Sequence, residues 1–214
     1  MRKQPEVREK TRTELVTAFW KLYKHKSIDK ITISELTSTA GYHRGTFYEY
    51  FQDIYDLLEQ EENALMTQLP EMFAKIFDPK DAPNPVHIIS QFYLKNGEHL
   101  NILINQGNTD FLNRFKDTMY PIFLKILKLE HTPELRLIAE YGISGILMTL
   151  HKWYEDGCQI PIENFIKLVF SLNFHGFFNT LWALQEDTLK DVEVKAPEKL
   201  ATIINNIDLN SSAN

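Results

Sequence analysis

Residues 32–51 constrain the fold of this chain more than any other segment. They read Thr-Ile-Ser-Glu-Leu-Thr-Ser-Thr-Ala-Gly-Tyr-His-Arg-Gly-Thr-Phe-Tyr-Glu-Tyr-Phe. Thr32 and Glu35 have the spacing of a capping box, which predicts the start of a short helix. Gly41 predicts its end, because glycine readily takes the positive φ of a helix C-cap. A second helix is predicted to begin with residues 42–46. Two short helices joined by a tight turn predict a helix-turn-helix, which places its second helix in the DNA major groove.

The charge of the chain is unevenly distributed. The net charge of all 214 residues is −6, which disfavours general affinity for nucleic acid. Residues 1–51, however, contain ten Lys and Arg against six Asp and Glu, a net charge of +4, so the remaining residues hold −10. A basic head on an acidic body is typical of a small DNA-reading module joined to a larger domain that does not bind DNA.

The composition and the motifs of the chain argue against several classes of protein. No apolar run approaches the ~20 residues of a membrane-spanning helix, and the start lacks the apolar core of a signal peptide. The single cysteine, Cys158, is compatible with a reducing cytoplasm, where we expect the protein to reside. The seven histidines show no metal-binding spacing, and there is no phosphate loop and no nucleophile elbow. We therefore expect no enzyme activity, no metal and no cofactor.

Helical periodicity extends along most of the chain and predicts an all-α fold. Helix 1 is predicted over residues 9–25, with one apolar face at Leu15, Ala18, Phe19, Leu22 and Tyr23. Asp53 is a predicted N-cap for a long helix reaching toward Phe77 and bent at Pro70. Further helices are predicted from Pro85 to about Leu100 and over 110–129, 133–156 and 161–184. We divide the chain into a helix-turn-helix domain (1–52), a helical domain (53–186) and a partly disordered tail (187–214).

Residues 41–51, followed by Tyr55-Asp56-Leu57-Leu58, resemble the recognition helix of the TetR family of bacterial transcriptional regulators and its continuation into helix 4. The resemblance is strong over about residues 8–65, and beyond them helical content and length agree. The segment from Gly142 to Gly157, followed by Pro161, is similar to a C-terminal region found in regulators of low-GC Gram-positive bacteria.

The resemblance implies an N-terminal three-helix head, joined by a long helix to a larger ligand-binding and dimerisation domain. It implies a homodimer in which the last two long helices of each subunit form a four-helix bundle. The second of these, predicted over 161–184, is rich in aromatic residues: Phe165, Phe170, Phe174, Phe177, Phe178 and Trp182. These side chains belong either to the interface or to the core of the subunit, and both roles stay open.

The resemblance also assigns DNA-contacting roles to eight residues: Thr32, Tyr42, His43, Arg44, Gly45, Thr46, Tyr48 and Tyr50. Arg44 is the main candidate for reading bases, because its guanidinium matches guanine O6 and N7. His43 reaches a base or a phosphate, Tyr42 a thymine methyl, and Gly45 allows close approach to the groove. Thr32, at a helix N-terminus, holds a phosphate as well as capping the helix.

Thr46 and Tyr48 match positions that contact phosphates. Tyr50 either does the same or packs, and both stay open. Phe47 and Phe51 are predicted to be core. The family commonly has lysine where this chain has Gln52 and Ile54, and a basic or aromatic residue in place of Glu49. Fewer lysines mean fewer phosphate contacts and a shallower salt dependence, which a basic arm (Arg2, Lys3, Arg8, Lys10 and Arg12) would offset.

Taken together, these features predict a sequence-specific, DNA-binding transcriptional regulator, a repressor released by a small molecule. Its expected partners are double-stranded operator DNA, a second copy of the chain and an unidentified small-molecule effector, with no membrane. Candidate pocket residues are His87, Phe92, Tyr93, Met119, Tyr120 and Phe123, but each fits a core role as well, so we assign none to the ligand. The alternative is a helical interaction protein of the same fold that has lost or weakened DNA binding.

Overall fold

The computed structural model describes residues 5–76, 84–127 and 129–176. Throughout these ranges the regular structure is helical, as the sequence predicts. The helices are α1 (Pro5–Tyr23), α2 (Ile33–Ala40), α3 (Arg44–Tyr48), α4 (Ile54–Met66), α5 (Gln68–Ile76), α6 (Pro85–Asn105), α7 (Thr109–Leu127), α8 (Pro133–Glu155) and α9 (Ile162–His175), with a short 3₁₀ turn at Ile28–Lys30. None of them combines the length and the apolar character needed to span a bilayer.

The chain divides into two compact units. The first extends to Met66 and also includes Asn105–Gly107, whereas the second begins at Thr67. The first unit thus contains α4 as well as the helix-turn-helix, beyond the boundary at residue 52 expected from the sequence. Its core side chains are fully enclosed: Leu15, Phe19, Leu36, Phe47 and Leu57 are all 0% exposed. Phe51 is 2% exposed, which confirms that Phe47 and Phe51 are core residues.

The predicted long helix after Asp53 is two helices. Its beginning is as expected, since the Asp53 carboxylate accepts a hydrogen bond from the Asp56 amide at 2.8 Å. The helix ends at Met66, however, and α5 begins at Gln68. The break lies one turn before Pro70, because a proline removes a helical amide and its ring collides with the carbonyl group four residues earlier, that of Met66. The expected bend at Pro70 is therefore a break at Thr67.

The second unit is built from α5–α9. Leu69, Leu103 and Phe111 lie in its core, at 1%, 0% and 0% exposed. Helix α7 contains Pro121 in its interior, a feature that was not predicted from the sequence. Of the candidate pocket residues, Tyr120 is buried, whereas His87 and Phe123 are exposed.

The two C-terminal helices differ in how well they match their predictions. Helix α8 ends at Glu155, and Gly157 follows with a φ of 78°, as the predicted stop at Gly157 requires. Helix α9 ends at His175, and residues 177–184 of the predicted helix lie outside the described residues. Gly176 there has a φ of 82°, a conformation that glycine adopts easily and that helix residues do not. Phe165 is buried, Phe170 is half-buried, and Phe177, Phe178, Trp182 and the predicted tail lie outside the described residues.

Candidate nucleic-acid interface

The helix-turn-helix forms through local backbone contacts that its sequence specifies. Thr32 is the N-cap of α2, and its hydroxyl oxygen accepts a hydrogen bond from the Glu35 amide at 3.2 Å. At the other end Gly41 takes a left-handed conformation with a φ of 77°. The amide of Tyr42 then donates to the Thr37 carbonyl oxygen at 2.8 Å, which closes the turn. The N-cap and the turn glycine are both confirmed.

Only one half of the predicted capping box forms. The Glu35 carboxylate accepts a hydrogen bond from the Lys26 ammonium, as an ion pair, instead of turning back to the amide of Thr32. Lys26 lies in the connection after α1, so the pair attaches the start of α2 to the end of α1. No local pattern in the sequence predicts this partner, because an ion pair between helices depends on tertiary packing.

Helix α3 is short and begins later than the sequence suggests. Arg44 is its first residue, and His43 is the N-cap, with an extended backbone at φ −92° and ψ 154°. Tyr42 and His43 therefore precede the recognition helix rather than belonging to it. The physical reason is Gly41, whose left-handed turn leaves the next two residues outside helical geometry. The His43 side chain makes no cap hydrogen bond and is exposed.

The two faces of α3 are sharply different. Phe47 points inward and is 0% exposed, and its ring lies 5.3 Å from that of Phe51. Arg44 and Tyr48, four residues apart and so on one face of the helix, are both exposed, Tyr48 at 53%. Thr46 is half-buried. Phe47 therefore anchors α3 in the core and leaves the face of Arg44 and Tyr48 open.

Gly45 lies on this exposed surface and is not required by the fold. A Cβ atom built there would meet no other atom within 4 Å, and the residue has no positive φ. The folded chain could thus accept a larger side chain at position 45. A glycine at this point leaves the backbone of α3 accessible to a close external partner.

Tyr42 has a partner within the protein. Its hydroxyl donates a hydrogen bond to the Glu14 carboxylate of α1, and the residue is half-buried. Lys10 lies 3.9 Å from the same carboxylate. The hydroxyl of Tyr42 therefore fixes the turn against α1, and its ring is the part left for an outside contact.

Tyr50 adopts a packed position, one of its two predicted alternatives. Its ring lies 6.3 Å from that of Phe51, and the Arg8 guanidinium lies 5.9 Å from its ring centroid. Its hydroxyl oxygen is enclosed and has no hydrogen-bond partner. In this conformation the hydroxyl is shielded from a phosphate group, so the geometry favours the packing role.

Two of the departures from the family pattern can now be separated. Ile54 is the first residue of α4 and is 6% exposed, so it is a core residue and not a missing phosphate contact. Gln52 and Glu49 are both exposed. The loss of positive charge relative to the family pattern is therefore confined to the surface around these two residues.

A polar cluster that links α1 to α4 was not predicted from the sequence. Arg12 donates a hydrogen bond to the Glu61 carboxylate at 3.0 Å, and its guanidinium lies 5.6 Å from the ring centroid of Phe51. The Trp20 indole donates to the other oxygen of Glu61 at 3.4 Å. Arg12, expected in the basic arm, instead joins α1, α4 and the end of the recognition segment. Of the rest of that arm, Arg2 and Lys3 lie outside the described residues.

The described residues contain no group of three or more His, Cys, Asp or Glu side chains arranged to hold a metal ion. The first unit has a small exposed surface on α3. It carries the cationic side chain of Arg44, the uncovered backbone at Gly45 and hydroxyl groups at its edges. Such groups suit base edges and phosphates.

Two family models match the chain. Residues 15–60 match the model described as bacterial regulatory proteins of the tetR family. Residues 86–174 match a model described as a transcriptional regulator C-terminal region. The first match contains the helix-turn-helix, and the second contains most of α6–α9. No curated protein matches the chain in sequence.

Solved structures share the fold. A tetR-family transcriptional regulator from Streptomyces coelicolor is 19% identical with a TM-score of 0.53, and the match covers 95% of this chain and 98% of that one. The fatty acid degradation regulator FadR from Bacillus halodurans is 14% identical with a TM-score of 0.58, over 83% and 99%. NalD from Pseudomonas aeruginosa, the secondary repressor of the MexAB-OprM multidrug efflux pump, is 18% identical with a TM-score of 0.54, over 79% and 97%.

At these identities the structural likeness establishes a common fold. The family models add the relationship in sequence, and they do so for the head and for the C-terminal region separately. The chain therefore belongs to the tetR family of bacterial regulatory proteins and is a DNA-binding transcriptional regulator.

Proposed function

We propose that this regulator is a repressor that binds its operator through α3 and is released by a small molecule. The observation that carries the proposal is the open face of α3, where Arg44, Gly45 and Tyr48 are exposed while Phe47 anchors the helix. Arg44 donates to guanine O6 and N7, and Gly45 lets the backbone come close to the groove. NalD is a repressor, which supports the repressor assignment.

The residues around α3 position the head on the DNA backbone. The Thr32 hydroxyl and the backbone amides of the first turn of α2 lie at a helix N-terminus, a suitable place for a phosphate oxygen. Thr46 and Tyr48 offer hydroxyl groups beside the exposed face of α3, and His43 offers an imidazole at its N-terminus. The Tyr42 ring contacts a thymine methyl while its hydroxyl remains with Glu14. Tyr50 supports the head by packing.

A second copy of the chain completes the binding unit. Helix α8 exposes large apolar side chains, with Leu137 at 70%, Ile138 at 59%, Tyr141 at 84% and Met148 at 48%. Ile138, Tyr141 and Met148 are spaced so that they share one face of the helix. An apolar face of this size is typical of a protein interface, and we assign it to the homodimer.

Release follows from the separation of two recognition helices in the dimer. Two such helices fit successive major grooves only when they lie about 34–36 Å apart. The contacts of Glu61 with Arg12 and Trp20 make α4 move together with α1, so a shift of α4 changes the position of the head. An effector favours the released state only by its higher affinity for that state. We assign no catalytic activity to the chain and place it in the cytoplasm.

The test is a gel-shift assay with DNA from upstream of the gene for this chain, using the wild type and Arg44→Ala. We expect the wild type to bind with a salt-dependent affinity. Loss of one bidentate base contact, worth about 1–3 kcal/mol, should weaken binding about 5- to 150-fold. Binding that is the same with and without the substitution would contradict the base-reading role of Arg44, and no binding even at low salt would support the alternative of an interaction protein without DNA binding.

A further inference from the structure

Helix α6 contains a buried amide that is only partly hydrogen-bonded. Asn101 is 0% exposed. Its Nδ2 donates to the Tyr93 hydroxyl oxygen at 2.9 Å and to the Gly97 carbonyl oxygen at 2.6 Å. A carbonyl oxygen can only accept, so these bonds fix the orientation of the amide. Its oxygen Oδ1 is enclosed and has no partner. Buried side-chain oxygens without a partner are uncommon in native proteins and call for an explanation.

The Tyr93 ring covers this amide and occupies a place that is bounded by Gly97 and by an aromatic side chain of α8. It lies across Gly97, where a Cβ atom would come within 2.6 Å of the Tyr93 Cε2 atom. The Trp153 ring of α8 meets it edge-on at 5.3 Å, and Trp153 is in turn stacked on Phe165 of α9 at 4.9 Å. Contacts with Gly97 and Trp153 thus hold the Tyr93 ring beside Asn101.

The protein covers the outer side of the Tyr93 ring only in part. Tyr93 is half-buried, and Cys158, which interacts with its hydroxyl, is exposed. Burial raises the pKa of Tyr93 to about 12 against the opposing effect of the hydrogen bond from Asn101, and Cys158 and Tyr154 raise it by smaller amounts. The phenol is therefore neutral at physiological pH. The Tyr93 hydroxyl oxygen accepts from Nδ2 of Asn101, and Oδ1 of the same amide has no donor.

We propose that this place binds a small phenol, whose ring replaces that of Tyr93 and whose hydroxyl donates to Oδ1 of Asn101. A free phenol is not attached to the backbone of α6, so it can turn its hydroxyl toward the oxygen that Tyr93 leaves unpaired. The inference rests on the proposed release by a small molecule and gives that molecule a chemical class. Trp153 supplies the aromatic wall for the incoming ring.

The test uses isothermal titration calorimetry on the full chain with p-cresol, which is the side chain of tyrosine, and with 4-methylanisole, which lacks the donor. We expect the wild type to bind p-cresol at least tenfold more tightly, and Asn101→Leu to abolish that preference. Tyr93→Ala should raise the affinity for p-cresol, because it removes the resident ring. The matched control is Asn96→Leu, since Asn96 is also buried in α6 but its amide is paired with Gln68 and Phe92.

Equal affinities for the two probes in the wild type would overturn the inference, and this comparison holds even if Asn101→Leu does not fold. Binding by Tyr93→Ala alone would also overturn it, because the site would then be an engineered cavity. If the wild type binds operator DNA through Arg44 but does not bind p-cresol, this inference is wrong and the proposed function is unaffected. If the wild type binds p-cresol but no operator DNA, the proposed function is wrong and the phenol site remains.

Discussion

At the scale of single residues, two glycines of the helix-turn-helix have opposite duties. Gly41 has a φ of 77°, a conformation that L side chains rarely adopt. Gly45 has no such constraint and no atom within 4 Å of a Cβ position. The fold of the head requires glycine at position 41. At position 45 the isolated protein would accept a larger side chain, so the glycine there matters only for a partner that binds against α3.

Alanine at each position should therefore have different effects. We expect Gly41→Ala to destabilise the head by about 1–2 kcal/mol, the usual cost of a left-handed alanine. Gly45→Ala should leave stability unchanged or raise it by up to about 1 kcal/mol, because alanine favours helix, but it should weaken operator binding. Thermal melting and a gel shift on both variants separate the two. A stable Gly41→Ala variant would contradict the role assigned to this turn.

The features predicted correctly at this scale share a physical cause. The Thr32 cap, the Gly41 turn and the inward positions of Phe47 and Phe51 depend on residues within one or two helical turns of each other, which the sequence displays directly. The polar contacts of Tyr42 with Glu14 were not predicted, because they join residues 28 positions apart.

At the scale of helices, the predicted boundaries were correct where a strong local signal marks them. They were wrong where a residue acts on the helix several positions away from itself. Pro70 was expected to bend a helix at its own position, but it ends α4 one turn earlier, at Met66. Pro121 lies inside α7 without ending it. A proline thus does not determine by itself whether a helix breaks, because packing can retain a helix that has lost one hydrogen bond.

The link between α1 and α4 should appear as a coupling energy. The Arg12 and Glu61 side chains are 32% and 13% exposed and 3.0 Å apart. A double-mutant cycle of Arg12→Ala and Glu61→Ala, measured by urea unfolding, should give a coupling of about 1 kcal/mol. The exposed Lys10–Glu14 pair, at 3.9 Å and 77% and 42% exposed, is the matched control, and we expect a coupling below ~0.5 kcal/mol. Equal couplings would remove α4 from the signalling role proposed for it.

At the scale of the whole molecule, the exposed apolar face of α8 is the surface that we propose as the homodimer interface. Its exposed residues include Tyr141 at 84% and Leu137 at 70%, in the protomer alone. A helix was predicted there from the sequence, but the aromatic residues considered for the interface were those of the following helix. A hydrophobic pattern does not distinguish the face that packs within a chain from the face that packs against a second copy.

Tyr141→Asp should therefore convert the dimer into a monomer, because a buried carboxylate at an apolar interface has no partner to offset its loss of hydration. Sedimentation velocity measures the change, and circular dichroism checks that the helices remain. Lys125→Asp, an exposed charge change on α7, is the control and should remain dimeric. A dimeric Tyr141→Asp variant would exclude this face from the interface.

The first unit is completed by a residue that comes late in the chain. The Gln106 side-chain amide donates to the carbonyl oxygen of Tyr23, the last residue of α1, at 2.6 Å and across 83 positions of sequence. During synthesis on the ribosome α1–α3 emerge early, yet this cap on α1 is absent until α6 has followed them. Contacts of such long sequence separation form slowly. The DNA-reading head is thus encoded first and finished late, so a nascent or truncated chain ending before Gln106 carries an incomplete head.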